Sequence, residues 1–442
     1  MCHSIGRRAF VKRASQLVAS SAVASQPHTT LAARSAGPLA QTRSDYPEQL
    51  GWKPHWMKQG AGKGGWVCRR AEIQFLHAGD GKMPYSDKKF PAFMPFGVVE
   101  MDNGQIVLVG VRREEGADGK IVEKTAITFS KDLGSTWEPI RVIDGAVGRP
   151  MMLTKLGSGK LVFQIDYPAP AIQYFSHDYG RTWTDRQPLQ PATSGIWQKV
   201  KGHFPVEGNA LVEVDAAGKA TRIAQIGYNL DEGAKYPQDP TNGILRWSTD
   251  GGRSWTNETR PREWRWKDTY QGKTYDRGVS EGSLVRAKNG WLVAALRTDM
   301  PARFIEFHND NMEGTGISIS KDDGKSWSPV KTLFVAGRMH AHLLRMPDGS
   351  LVMTYIMRHD IENQRLANYR RGCGAVVSRD NGLSWDVSRQ FLLDDFEFAD
   401  GTRYALACGH LYSALLSNGS ILTCYGNYPS KGAGLIRWKP AV

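Results

Sequence analysis

Apolar and polar residues alternate along this chain in short runs that turn back on themselves around a glycine. Six segments share the form: VVEMDNGQIVLVG around Gly104, MLTKLGSGKLVFQI around Gly159, LVEVDAAGKATRIAQI around Gly218, LVRAKNGWLVAAL around Gly290, LLRMPDGSLVMTY around Gly349 and ALLSNGSILTCY around Gly419. Alternation predicts strands with one covered face, and a Gly-containing turn between two such runs predicts a hairpin. A second phrase, Ser-x-Asp-x-Gly-x-(Thr/Ser)-Trp, interleaves with the hairpins five times: Ser130–Trp137, Ser176–Trp183, Ser248–Trp255, Ser320–Trp327 and Ser378–Trp385. Its Asp is suited to cap its own turn, its Gly to take a positive φ, and its Trp to anchor the turn from below. These boxes are expected to build turns and do no chemistry.

Repetition on this scale predicts a repeat architecture. Six hairpins and five boxes predict an all-β fold, a six-bladed β-propeller with four-stranded antiparallel blades, spanning residues 61–442. The sixth unit has one recognisable outer strand, GLIRWKPAV, so a strand within Gly65–Phe75 is expected to complete its sheet and close the ring. Composition agrees, with 40% apolar residues for the cores between blades, 47 Gly for turns and 14 Trp.

The first residues read as an address. Arg7-Arg8, Phe10, Lys12 and a mildly apolar run ending in Ala22-Val23-Ala24 predict a signal peptide over 1–24, followed by a polar linker over 25–60. The paired arginines resemble a bacterial twin-arginine signal, which implies a periplasmic or secreted protein. Loss of Arg7, Arg8, Lys12 and Arg13 lowers the formal charge of +13 by four and leaves a basic chain, consistent with an anionic ligand. No run of 18 apolar residues is present, so no membrane span is expected, and no pattern of a nucleic-acid-binding module appears. Cys68, Cys373, Cys408 and Cys424 form no Cys-x-x-Cys pair, which argues against a thiolate zinc site.

The hairpin glycines locate the propeller axis. Nine residues before them stand Pro95, Pro150, Asn209, Glu281, His340 and His410; two further on stand Gly97, Met152, Leu211, Ser283, His342 and Tyr412. Side chains two apart in a strand share a face. Three imidazoles, a carboxylate and a phenol therefore gather on blades four to six, where small or apolar packing residues are the ordinary choice. Buried polar groups need partners or a task.

Repeated Asp boxes on six hairpin units resemble the sialidase (neuraminidase) superfamily over essentially the whole mature chain. The resemblance implies that Glu281 polarises a tyrosine nucleophile and that Arg297 and Arg371, or its neighbour Arg370, belong to the arginine triad that clamps a sugar carboxylate. The family's first arginine is missing: the corresponding stretch reads Phe93-Met94-Pro95, and Arg149-Pro150 opens blade two instead. The nucleophile's place falls on His410, with Tyr412 two residues on, and only Glu114, Glu115 and Asp118 lie where the acid/base aspartate is expected.

The expectation is therefore an atypical sialidase-like exo-glycoside hydrolase acting on an acidic carbohydrate. Glu281, Tyr412, His410 and His340 are its candidate catalytic groups, and Arg297, Arg371, Arg149 and His342 hold substrate. Two alternatives stay open: a polysaccharide lyase that removes the proton beside a uronate carboxylate with a His and Tyr pair, and a carbohydrate-binding propeller without catalysis. His340, His342 and His410 are also able to ligate a divalent ion. With no short metal motif in the sequence, no cofactor is expected.

Overall fold

The computed structural model describes most of residues 53–440. Residues 1–52 lie outside the described residues, as do shorter stretches, the longest being 300–312 and 397–409. The signal peptide, Arg370 and Cys408 thus fall outside the description, as does most of the expected linker. Blade one comprises Phe93–Glu100, Ile106–Glu115, Ile121–Ser130 and Arg141–Val147, paired antiparallel in that order. Blade two repeats the pattern over Pro150–Gly157, Lys160–Ile165, Ile172–Ser176 and Asp185–Pro188. Blade three uses Leu211–Val214, Ala220–Asn229, Asn242–Ser248 and Thr256–Thr259. Blade four uses Val279–Arg286, Leu292–Thr298, Gly314–Ser320 and Lys331–Phe334. Blade five uses Arg338–Arg345, Leu351–Met357, Arg371–Ser378 and Phe391–Phe396.

The sixth blade draws on both ends of the chain. Leu411–Leu415, Ile421–Asn427 and Gly432–Pro440 come from the C-terminus, and Trp66–Arg70 and Gln74–Leu76 both pair along Gly432–Pro440. The expected closing strand is thus two short strands. A further strand, Lys53–Met57, pairs with Trp66–Arg70, inside the segment read as linker. The first innermost strand packs against the last, and Ser417 donates from its N–H and Oγ to the Glu100 carboxylate, joining blade six to blade one. The fold is an all-β six-bladed propeller. Among the described residues the only helical turn is the 3₁₀ segment Arg262–Trp264.

Second strands depart from the alternation the hairpins suggested. Leu292–Thr298 and Leu351–Met357 are buried at every position, because each is sandwiched between the two neighbouring blades. Both faces are covered, so apolar residues occupy both, apart from Thr354 and the Arg297–Thr298 end.

The boxes behave as their chemistry requires. In the second, Asp178 Oδ1 accepts from Ser176 Oγ at 2.8 Å and from the Thr182 N–H at 2.9 Å, while Oδ2 accepts from Thr182 Oγ1 at 2.7 Å. Trp183 Nε1 donates to the Gly180 carbonyl at 2.9 Å from beneath the turn. The turn takes two left-handed residues, Tyr179 with φ 61° and Gly180 with φ 85°. Only the glycine of that pair was evident from residue type.

Candidate functional site

The axial site follows from how each innermost strand begins. In four blades its ladder slips: between Pro95 and Gly97, Met151 and Thr154, Val279 and Gly282, and Met339 and His342. A bulge re-aims a side chain, and here the bulges lie at the axial end. His340 adopts φ 50°, a left-handed conformation uncommon outside glycine, as does Met152 at φ 55° in the slip of blade two. Second strands run antiparallel, so their last residues return to the same end. Ser280 and Glu281 therefore lie across from Arg297, and Arg358 follows the strand end opposite Arg338.

These residues converge into one charged nest. Arg297 bridges two buried carboxylates, Glu281 through Nη1 and Glu313 through Nη2. His340 Nδ1 lies 2.7 Å from Glu207 Oε2 and 3.0 Å from Glu281 Oε2. His410 Nδ1 lies 3.3 Å from the same Glu207 oxygen. Arg358 Nη2 stands 3.2 Å from His340 Nε2. The two imidazole rings are 5.4 Å apart, and Phe96 tilts against His410 at 4.3 Å. The Glu207 side chain keeps 21% of its surface exposed, against 6% for Glu281 and 7% for His340, so the nest opens to solvent on the Glu207 side.

The two carboxylates sit in different electrostatic surroundings. Burial pushes Glu281 upward and Glu207 adds repulsion; Arg297 opposes both, yet that one guanidinium also serves Glu313, and the net result is a raised carboxyl. Burial acts on Glu207 in the same direction, but His410 and His340 outweigh it and hold Glu207 well below the ordinary range. Burial lowers His410 to about 4. Tyr228, at the end of a second strand in blade three, is raised well above the usual phenol range by burial and then by Glu281 and Glu207, so its phenol belongs to this neighbourhood.

The family models include none that matches this chain, and no curated protein matches it. Solved structures do. A protein of unknown function from Dyadobacter fermentans superposes with a TM-score of 0.56 at 17% identity, over 84% of this chain and 99% of that one. The α-L-arabinofuranosidase of Fusarium graminearum, in complex with arabinobiose, matches with 0.52 at 13% identity, over 83% and 98%. A Hadza microbial sialidase matches with 0.50 at 14% identity, over 85% and 73%. The fold is that of the sialidase-like propellers.

Within this sialidase-like propeller the residues singled out from the sequence divide into groups. Glu281, His340, His410 and Arg297 meet at the axis. His342 and Tyr412 lie two residues further along their strands, ring centroids 6.1 Å apart, in apolar packing with Tyr412 beside Met152 and Cys424. Burial alone lowers His342 to about 3, so it is neutral at ordinary pH, and it raises the Tyr412 phenol, with Glu207 and Glu281 adding to the rise. Arg149 binds Glu123, with Nε 2.7 Å from Oε2, and its guanidinium lies 6.0 Å from the centre of the Phe96 ring beside His410. Arg371 is fully buried and donates to the Arg358 carbonyl at 2.5 Å. Of the loop carboxylates, Glu114 pairs with Arg112 and Lys124, and Asp118 pairs with Lys120.

The count along the strands missed Glu207, Glu313, Arg358 and Tyr228. In blade three it fell on Asn209, which pairs with Ser283 and reaches the Leu343 carbonyl at 3.4 Å. The innermost strand there is only Leu211–Val214, and Glu207 precedes it on irregular chain. Arg358 and Tyr228 sit at the axial end of second strands, a position recoverable from antiparallel pairing once the hairpins are fixed.

Proposed function

We propose that this chain is a glycoside hydrolase working at the axial end of the propeller. The observation that carries the reading is the pair Glu281 and Glu207: two carboxylates touching one imidazole nitrogen, one raised and the other depressed in pKa. Groups whose surroundings drive their pKa values apart are the natural acid and base of one reaction. Glu281 supplies the proton to the leaving oxygen. Glu207, with His340 and His410, forms the basic half that acts on the anomeric carbon or on the attacking water.

The substrate half of the proposal turns on the arginines. A carboxylate-bearing sugar needs free guanidinium donors in a bidentate clamp. Arg149 is engaged by Glu123 and Arg297 by Glu281 and Glu313, while Arg371 points at a main-chain carbonyl within the core. The engagement of these three arginines favours a neutral terminal sugar over the acidic one expected from the sialidase resemblance. Proteins of this fold include both an arabinofuranosidase and a sialidase. The Arg7-Arg8 segment supports an exported enzyme.

The test is hydrolysis by the full chain of a panel of nitrophenyl pyranosides, furanosides and sialosides, with products separated by chromatography. Release of a neutral sugar that is lost in Glu281→Gln supports the proposal. Failure on every glycoside, or release of sialic acid alone, overturns the corresponding half.

A further inference from the structure

We propose that Glu207, His340 and His410 form a binding site for one divalent transition-metal ion of the zinc class. Their ligand atoms all lie within 4.8 Å of one another, drawn from blades three, five and six around the open end of the axis. His340 Nδ1 and His410 Nδ1 stand 2.7 and 3.3 Å from Glu207 Oε2. Such spacings, roughly 3 Å, are those of neighbouring donors that share an ion at about 2.0–2.2 Å.

Glu207 Oε2, Glu281 Oε2 and His410 Nδ1 are buried without a hydrogen bond among the described residues, although each lies close to another ligand atom. Buried polar atoms need partners, and an ion among them supplies one. Two imidazoles and a carboxylate are a donor set suited to zinc and its neighbours and poorly suited to magnesium or calcium, which prefer oxygen. His342 is not part of the set, although it shares a strand with His340; its ring lies in the apolar layer against Tyr412.

Surrounding groups complete the picture. Glu281 Oε2, 3.0 Å from His340 Nδ1, is placed to add a fourth ligand or to hold an ion-bound water. An ion on Nδ1 moves the ring proton of His340 to Nε2, which faces Arg358 Nη2, so loading must turn that guanidinium aside. The inference concerns binding alone and stands whether or not the chain cleaves glycosides.

The experiment uses the full chain, stripped with a chelator and titrated separately with Zn²⁺, Mn²⁺ and Mg²⁺, with bound metal counted by mass spectrometry and affinity read by chelator competition. One equivalent of Zn²⁺ is expected, with no comparable binding of Mg²⁺. Glu207→Gln and His410→Gln are each expected to weaken it by tenfold or more, whereas Glu263→Gln, in the 3₁₀ turn Arg262–Trp264, leaves it intact. Thermal melts of each variant verify folding, and Co²⁺ in the wild-type chain is expected to give visible bands that vanish in His340→Gln. Absence of Zn²⁺ from folded wild-type protein at 100-fold excess overturns the proposal, as does an equivalent that folded Glu207→Gln and His410→Gln both retain. Neither result depends on turnover, so failure of the metal site is separable from failure of the hydrolase reading.

Discussion

Arg149 Nε donates to Glu123 Oε2 at 2.7 Å, and Arg113 grips the other carboxylate oxygen with Nε at 2.9 Å and Nη2 at 2.7 Å. An arginine expected to hold substrate is thus part of a two-to-one ion cluster on the wall of blades one and two.

The cluster makes stability depend on acid. Burial pushes Glu123 upward, but Arg149 and Arg113 outweigh it and bring the group to about 2, against an ordinary 4.5. A depressed carboxylate stabilises the fold fully above the unfolded value, and that contribution fades as pH falls from about 4.5 towards 2. Its size, from the shift, is on the order of 3 kcal/mol. Urea unfolding as a function of pH is expected to lose this increment between pH 4.5 and 2, and Glu123→Gln is expected to be less stable at pH 7 with a flatter profile. Identical pH slopes for both proteins contradict the assignment.

Asp178 tests the box as a structural device. Asp178→Ala removes the acceptor for Ser176 Oγ, the Thr182 N–H and Thr182 Oγ1. A loss of about 1–3 kcal/mol in urea unfolding is expected, because buried and turn donors lose partners. Turnover per folded molecule stays unchanged. A variant that is fully stable but inactive contradicts the view that boxes only build turns.

Tyr412 separates packing from chemistry. Its Oη finds no hydrogen-bond partner among the described residues, within a cluster that includes Phe96, Met152 and Cys424. Removing an unsatisfied buried hydroxyl while keeping the ring is nearly neutral or stabilising. Thermal denaturation of Tyr412→Phe is expected to give an unchanged or higher midpoint. A drop equivalent to more than about 1 kcal/mol means that the hydroxyl has a partner it depends on.

How much was legible in the chain depends on what each residue's position encodes. Hairpin glycines fix register, so the six blades and the ring closure by the N-terminal strands follow directly from Gly104, Gly159, Gly218, Gly290, Gly349 and Gly419. The same register led to Glu281 and His340, each the third residue of its strand, and to His410, one residue before Leu411–Leu415. Glu207 escaped since its strand begins four residues later, and Arg358 since it reaches the axis from a second strand. Bulges are the other gap. Nothing in residue type signals that His340 takes φ 50° or that the ladder slips between Met339 and His342, yet that slip helps decide which histidine meets the carboxylates and which is packed away. Ion pairing is equally hidden: Arg149 beside Pro150 looks free in the sequence, and its partner Glu123 is one strand away.

Proton donation by Glu281 is the centre of the functional account, and leaving-group dependence tests it most directly. A donor matters when the departing oxygen needs a proton and hardly matters when it departs readily as an anion. On the sugar found to be a substrate, kcat/KM of wild type and Glu281→Gln is to be compared for a dinitrophenyl glycoside and for an alkyl glycoside. The account predicts a fall of about 10²–10⁴-fold on the alkyl glycoside and less than about tenfold on the activated one. Equal falls on both substrates, or none on either, contradict it.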